Sequence, residues 1–270
     1  MTQTSGTAEF LKGRFAWWIE GPDDGGDGDG DPLVLVHAGV ADARMWHAVV
    51  PALARAHRVV RYDMRGFGAT RSMPGAFSDA DDVRALLDAL RIERAHLVGA
   101  SAGGLHALEL AAIAPDRVAS LVLLDAALPD IEPSPRLLAF AEAEESAIEL
   151  GKIDEAVAVN VRMWAQDSTA EVQALVADMQ RVAFELQLRE GADPGELDPP
   201  VSERLAQIAV PVTVAYGDRD VEDFVAVATR LHAELPHATL HVIEGAGHLP
   251  ALDRPEDVAQ LILRHLERAR

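Results

Sequence analysis

Leu97-Val98-Gly99-Ala100-Ser101-Ala102-Gly103-Gly104 joins an apolar run to a helix-forming one. Ala95–Gly99 reads as a strand, and the residues after Ser101 read as a helix that stops before Pro115. The junction has the pattern Gly-x-Ser-x-Gly. A strand that turns into a helix this sharply forces a strained backbone on the serine, and Gly99 and Gly103 supply room that side chains there would block. Such a turn lifts the serine Oγ above the sheet. It also leaves the following N–H and the helix N-terminus facing any negative charge that develops there. Ser101 is the candidate nucleophile, and its place between strand and helix gives weight to a short motif.

Working outward, further strands are expected at Phe15–Glu20, Leu33–His37, Arg58–Asp63, Ser120–Asp125, Val212–Tyr216 and Thr239–Ile243. Several are apolar throughout, as strands covered on both faces are. Helical stripes lie between them. Met45, Trp46, Val49, Val50 and Leu53 form one, and Val83, Leu86, Leu87 and Leu90 form another, opened by Ser78 with Asp81 three residues on. The last runs from Val258 to Leu266, beginning near Pro255 with Asp253 as its N-cap. Alternation of this kind predicts an α/β fold, a mainly parallel sheet with helices on both faces.

One segment breaks the rhythm. From Pro129 to Ala209 no strand is evident, only helical patterns at Arg136–Leu150, Glu155–Ala165 and Ala170–Arg189 with prolines at both ends. The division this predicts is a core of residues 1–128 and 210–270 carrying an all-helical lid at 129–209, over the sheet edge where such folds bind ligands. The plainer alternative is a helical hairpin that serves only as the interface of a homodimer. Met163 and Trp164 are the candidates to line a substrate pocket, whereas Phe140, Phe184 and Met179 read as the apolar core of the lid helices.

A serine nucleophile needs a base within hydrogen-bond reach and a carboxylate to orient that base. Val212–Tyr216 is followed by Gly217-Asp218-Arg219-Asp220, and the next strand by Gly245-Ala246-Gly247-His248-Leu249-Pro250. His248 is the candidate base. Asp218, Asp220 and Asp125 compete to be the acid.

With these loops in place the chain resembles the α/β-hydrolase fold superfamily, in its lidded serine-esterase branch, over nearly its whole length. Beside the Ser101 turn, Val36-His37-Ala38-Gly39 with Trp46 downstream is similar to the family's oxyanion loop, although Ala38 stands where the family usually has glycine. Tyr62-Asp63-Met64-Arg65-Gly66-Phe67-Gly68 is similar to its Asp-x-Arg-Gly-x-Gly turn, Gly217-x-x-Asp220 to its acid loop and Gly247-His248 to its histidine loop. The resemblance implies backbone N–H groups of Gly39 and Ala102 as oxyanion donors, Asp220 as the acid, and a bracing role for Asp63, Arg65 and Trp46. It implies a carboxylesterase-like enzyme that acts on a small-molecule ester and needs no cofactor or metal. Lactonase, acyltransferase and carbon–carbon hydrolase chemistry use the same three groups, and a non-catalytic ligand receptor on the same fold is the rival of a different class.

Other residues narrow this further. Dehalogenases and epoxide hydrolases of this fold use aspartate where the chain has Ser101, and the only tyrosines, Tyr62 and Tyr216, lie outside the lid. Leu249 replaces the tryptophan that carbon–carbon hydrolases typically carry after the histidine. Leu105, where a nucleotide-binding loop needs lysine, removes that reading. The absence of cysteine excludes thiol nucleophiles and cysteine-ligated metals. His106 is expected as a packed core residue, His37 as a backbone partner, and His232, His237 and His241 at the surface. A formal charge of −20 argues against nucleic acid and anionic membrane as partners. With neither a signal-peptide pattern nor about 18 consecutive apolar residues, the expected setting is the cytoplasm. Asp23–Asp31, rich in Asp and Gly, fails both calcium-loop patterns and reads as a solvated turn.

Overall fold

The computed structural model describes residues 3–22 and 30–269. The Asp23–Asp31 turn therefore lies almost wholly outside the described residues. The strands are β1 (Gln3–Phe10), β2 (Gly13–Glu20), β3 (Leu33–Val36), β4 (Val59–Tyr62), β5 (Arg71–Ser72), β6 (Gly75–Phe77), β7 (Ala95–Ala100), β8 (Val118–Leu124), β9 (Ala192–Pro194), β10 (Val212–Gly217) and β11 (Ala238–Ile243). The helices are α1 (Val50–Leu53), α2 (Asp79–Ala89), α3 (Ala102–Ile113), α4 (Pro135–Glu149), α5 (Ile153–Trp164), α6 (Ala170–Glu190), α7 (Glu222–Glu234), α8 (Pro250–Asp253) and α9 (Pro255–Arg268).

The main sheet has the order β1-β2-β4-β3-β7-β8-β10-β11, with β5 against β2. Pairing is parallel from β4 onward and antiparallel at the β1–β2 and β2–β4 end. The fold is thus the α/β-hydrolase arrangement. The apolar strands follow from burial on both faces: Val34 and Val36 join one core with residues of α2, α3 and α7, while Leu33 and Leu35 join another with α1 and α9. The hairpin joining β1 to β2 sets Leu11 and Lys12 in left-handed backbone (φ 45° and 61°).

Three elements depart from the sequence reading. The stripe Met45–Leu53 is not one helix but a 3-10 turn at Ala43–Trp46 followed by the single turn α1. Pro51 inside the run has no N–H to give, so it sits in the first turn of a new helix instead. The segment 129–209 is not free of strands, because β9 pairs in parallel with β6 as a separate two-stranded sheet. Asp253 does not cap α9. It ends α8, and its carboxylate is taken by Ser168 and by the N–H of Gly247.

Helices α4, α5 and α6 stand between β8 and β10 and share a small apolar cluster of their own, Ala147, Ala156, Val157 and Phe184. Val176 and Met179 of α6 instead join the core under the sheet. Polar contacts tie these helices to the rest: Arg44 to Asp178 at 2.6 Å, the Ser134 N–H to Asp223 at 2.6 Å, and Ser72 to Glu190 at 2.8 Å. Among the described residues no helix is long and apolar enough to cross a membrane.

Candidate active site

Ser101 sits between β7 and α3 with φ 51° and ψ −117°, a conformation that a residue with a side chain rarely adopts. What holds it there is mostly backbone. Its N–H donates to Leu124 O at 2.9 Å, and its carbonyl accepts from Gly104 and Ala127. The close passage of strand and helix leaves no space for a Cβ at Gly103, which would overlap the carbonyl oxygens of Val36 and His37. Ala102 is the first residue of α3, a position whose N–H has no acceptor inside the helix.

The loop opposite is shaped by His37. Its Nδ1 lies 2.9 Å from Ala38 O, and its Nε2 accepts the Met64 N–H at 2.9 Å, which fixes a neutral ring with the proton on Nδ1. Full burial pushes this histidine down to about 4, in keeping with that state. The expected backbone role of His37 is therefore what the structure shows. A Cβ placed on Gly39 would stand 3.5 Å from that of Ala102, so this loop closes on the start of α3. Asp63 braces it from below by accepting the N–H groups of Ala43 and Ala69 at 2.9 and 2.7 Å. Burial raises the Asp63 carboxyl to about 6 in spite of those two bonds. Arg65 does not approach the loop. It forms a two-pronged pair with Asp82 at 2.9 and 2.7 Å.

The base and acid arrive from the ends of β11 and β10. His248 Nε2 lies 2.9 Å from Ser101 Oγ, and His248 Nδ1 lies 2.9 and 3.1 Å from the two carboxylate oxygens of Asp220. Gly217 makes this approach feasible, since a Cβ there would overlap the backbone of Ala246 and Gly247 just before His248. Burial opposes charge on Asp220, but His248 and the Val221 N–H, at 2.7 Å, outweigh it and hold the carboxyl below its ordinary value. Asp218 points away and accepts the Gly245 N–H at 2.6 Å, bracing the loop from an exposed position. Asp125, at the end of β8, accepts the Gly217 N–H at 2.9 Å.

The segment 129–209 reaches the same place. The Trp164 ring lies 4.4 Å from that of His248 and the Phe140 ring 5.0 Å from Trp164. Met163 and Trp164 line a narrow recess that also touches His248 and Asp220. Phe224 on α7 completes an aromatic box, 4.3 Å from His248 and 5.6 Å from Trp164. Nothing in the sequence singled out Phe224, because it belongs to an ordinary apolar stripe with Val227, Ala228 and Leu231. Phe184 is buried within the separate cluster shared by α4, α5 and α6, and Met179 Sδ accepts the Asp42 N–H. His106 is not simply a packed core residue. Burial works to lower it, but the carboxylates of Glu109 and Asp79, at 3.3 and 3.6 Å, prevail and raise it.

Comparison with known proteins agrees with this fold. Residues 33–261 match the family described as "Alpha/beta hydrolase family". The chain is similar to the dihydrolipoyllysine-residue acetyltransferase component of the acetoin cleaving system of Pseudomonas putida, at 32% identity over 95% of this chain and 68% of that protein. It is also similar to the pimeloyl-[acyl-carrier protein] methyl ester esterase of Aliivibrio salmonicida, at 27% identity over 89% of this chain and 94% of that one. A thermophilic esterase from Thermogutta terrifontis shares the fold with a TM-score of 0.78 at 23% identity, over 100% of this chain and 99% of its own.

Proposed function

The chain belongs to the alpha/beta hydrolase family, and from that premise we propose that it is a carboxylesterase that works through an acyl-enzyme formed on Ser101. The observation that carries this reading is the unbroken chain Ser101 Oγ, His248 Nε2, His248 Nδ1, Asp220, with each link between 2.9 and 3.1 Å. Oγ attacks the ester carbonyl carbon while His248 Nε2 takes its proton. The N–H groups of Gly39 and Ala102 receive the oxyanion. Nε2 then gives the proton to the departing alcohol, and a water molecule repeats the sequence on the acyl-enzyme. Asp220 keeps the remaining imidazole proton on Nδ1, so that Nε2 is always the atom facing Ser101.

Residues 129–209 act in this reading as a lid that selects the acyl group, supported by the contact of Trp164 with His248. The setting is the cytoplasm. Lactones and carbon–carbon substrates would use the same groups, and Leu249 in place of tryptophan speaks against carbon–carbon chemistry.

Turnover of an activated ester by Ser101→Ala should fall by about 10⁶ with the fold intact, as triad knockouts do. The unaltered enzyme should give a burst followed by steady turnover. A burst without turnover would indicate a ligand receptor. Near-normal hydrolysis by the alanine variant would overturn the proposal.

A further inference from the structure

Asp125 is fully buried at the end of β8, held with φ 45°. Its Oδ1 accepts the Gly217 N–H, but its Oδ2 is buried and, among the described residues, receives no hydrogen bond. What faces it is a second carboxylate. One oxygen of Asp125, one of Asp220 and a ring nitrogen of His248 all lie within 4.8 Å of one another. The further charged group nearby, Asp253, is already bonded to Ser168 and the Gly247 N–H.

Two carboxylates so close in a dry site do not both ionise. Their surroundings decide which keeps the proton. Asp220 has the His248 ring and the Val221 N–H to stabilise its charge. Asp125 has a single N–H, and burial first, then the charge of Asp220, push its carboxyl up. An oxygen that no donor reaches and that faces an acceptor is the place for a hydroxyl hydrogen.

We propose that Asp125 is a positioning residue, a carboxyl that stays neutral at pH 7 and donates a hydrogen bond from Oδ2 to Asp220, fixing that carboxylate on His248. The inference rests on the reading of Ser101, His248 and Asp220 as a triad. It assigns Asp125 a second task beyond satisfying the Gly217 N–H. Because the donor carries no charge, it steadies Asp220 without adding a second anion behind the imidazole.

The asparagine variant isolates the proton. In Asp125→Asn the amide still accepts from Gly217 and still donates toward Asp220, so kcat/KM should stay within about threefold and the acid limb of the pH–rate profile should not move. In Asp125→Ala the donor is gone and Asp220 becomes the stronger base. There kcat should fall about tenfold with KM unchanged, and the acid limb should move to higher pH. A charged Asp125 predicts the reverse for asparagine, an acid limb displaced to lower pH by about one unit, and that result would overturn the proposal. An infrared difference spectrum of the unaltered protein against Asp125→Asn at pH 7 reads the proton without any substrate. It should show the carbonyl stretch of a protonated carboxyl, and its absence would also overturn the proposal. The same band should persist in Ser101→Ala, so failure of the esterase reading is told apart from failure of this one.

Discussion

Asp220 and Asp218 stand two residues apart on one loop and face in different directions. One is buried against His248, the other exposed against Gly245. Asp220→Asn should therefore lose roughly 10⁴ in turnover with little change in stability, whereas Asp218→Asn should keep turnover within about twofold. A steady-state comparison of the two variants checks this, and a large loss confined to Asp218→Asn would reverse the assignment. Trp164 touches His248, Phe140 and Phe224 at once. Trp164→Ala should change the ranking of short against long acyl esters, measured as ratios of kcat/KM. A uniform loss of stability with the ranking unchanged would make it packing only. The meeting of Ser101, His248 and Asp220 is legible in the sequence because each follows a strand at a motif of small residues. Phe224 is not, because an aromatic residue on an amphipathic helix looks the same whether it faces a core or a site.

At the scale of elements, the sharp passage from β7 into α3 depends on there being no side chain at Gly103. A methyl group at that position would meet two backbone carbonyl oxygens, which cannot swing aside as a side chain does. Gly103→Ala should cost at least about 2–3 kcal/mol by overpacking, and should reduce activity by displacing Ser101. Chemical unfolding beside a burst titration would show both losses, and full stability would contradict the account. Strands announce themselves as apolar and β-branched runs, most plainly where both faces are buried, and all seven strands expected from sequence are present within two or so residues of their ends. The edge strand β1 is hidden, because Gln3-Thr4-Ser5-Gly6-Thr7-Ala8-Glu9 is polar and mostly exposed and gains its order from pairing with β2. The short pair β6–β9 is hidden for a related reason: its three-residue strands are joined by backbone contacts across more than a hundred residues of chain.

Across the whole molecule, the end of the sheet opposite Ser101 carries a buried polar chain. Arg268 donates to Thr213 Oγ1 at 3.0 Å, Thr213 lies 2.8 Å from His265 Nδ1, His265 Nε2 lies 2.7 Å from Ser120 Oγ, and Ser120 lies 2.6 Å from His96 Nδ1. The hydroxyls of Thr213 and Ser120 can each give or take a hydrogen, so a neutral His265 is satisfied at both ring nitrogens. Burial pushes His265 down to about 4. Between that value and the ordinary 6.5 the unfolded chain binds the additional proton, so this histidine's contribution is complete above about pH 6.5 and is lost as pH falls toward 4. Against His265→Gln, the unaltered protein should lose up to about 3 kcal/mol of relative stability over that window. Urea unfolding at pH 4.5 and 7 measures the difference, and a constant gap would show that the histidine takes up its proton alike in both states.

The separate apolar cluster of α4, α5 and α6 has a further consequence. α4 contributes buried Ala147 and partly buried Ile148 to it, while α6 is rooted in the main core through Val176 and Met179. Amide protons along α4 are thus guarded by a local opening far smaller than global unfolding, and those of α6 by something closer to the whole. Exchange with solvent deuterium would spread from α4 inward and leave the sheet untouched. Such an opening would begin at the α4 edge and leave α6 in place, like a door hung on its innermost helix.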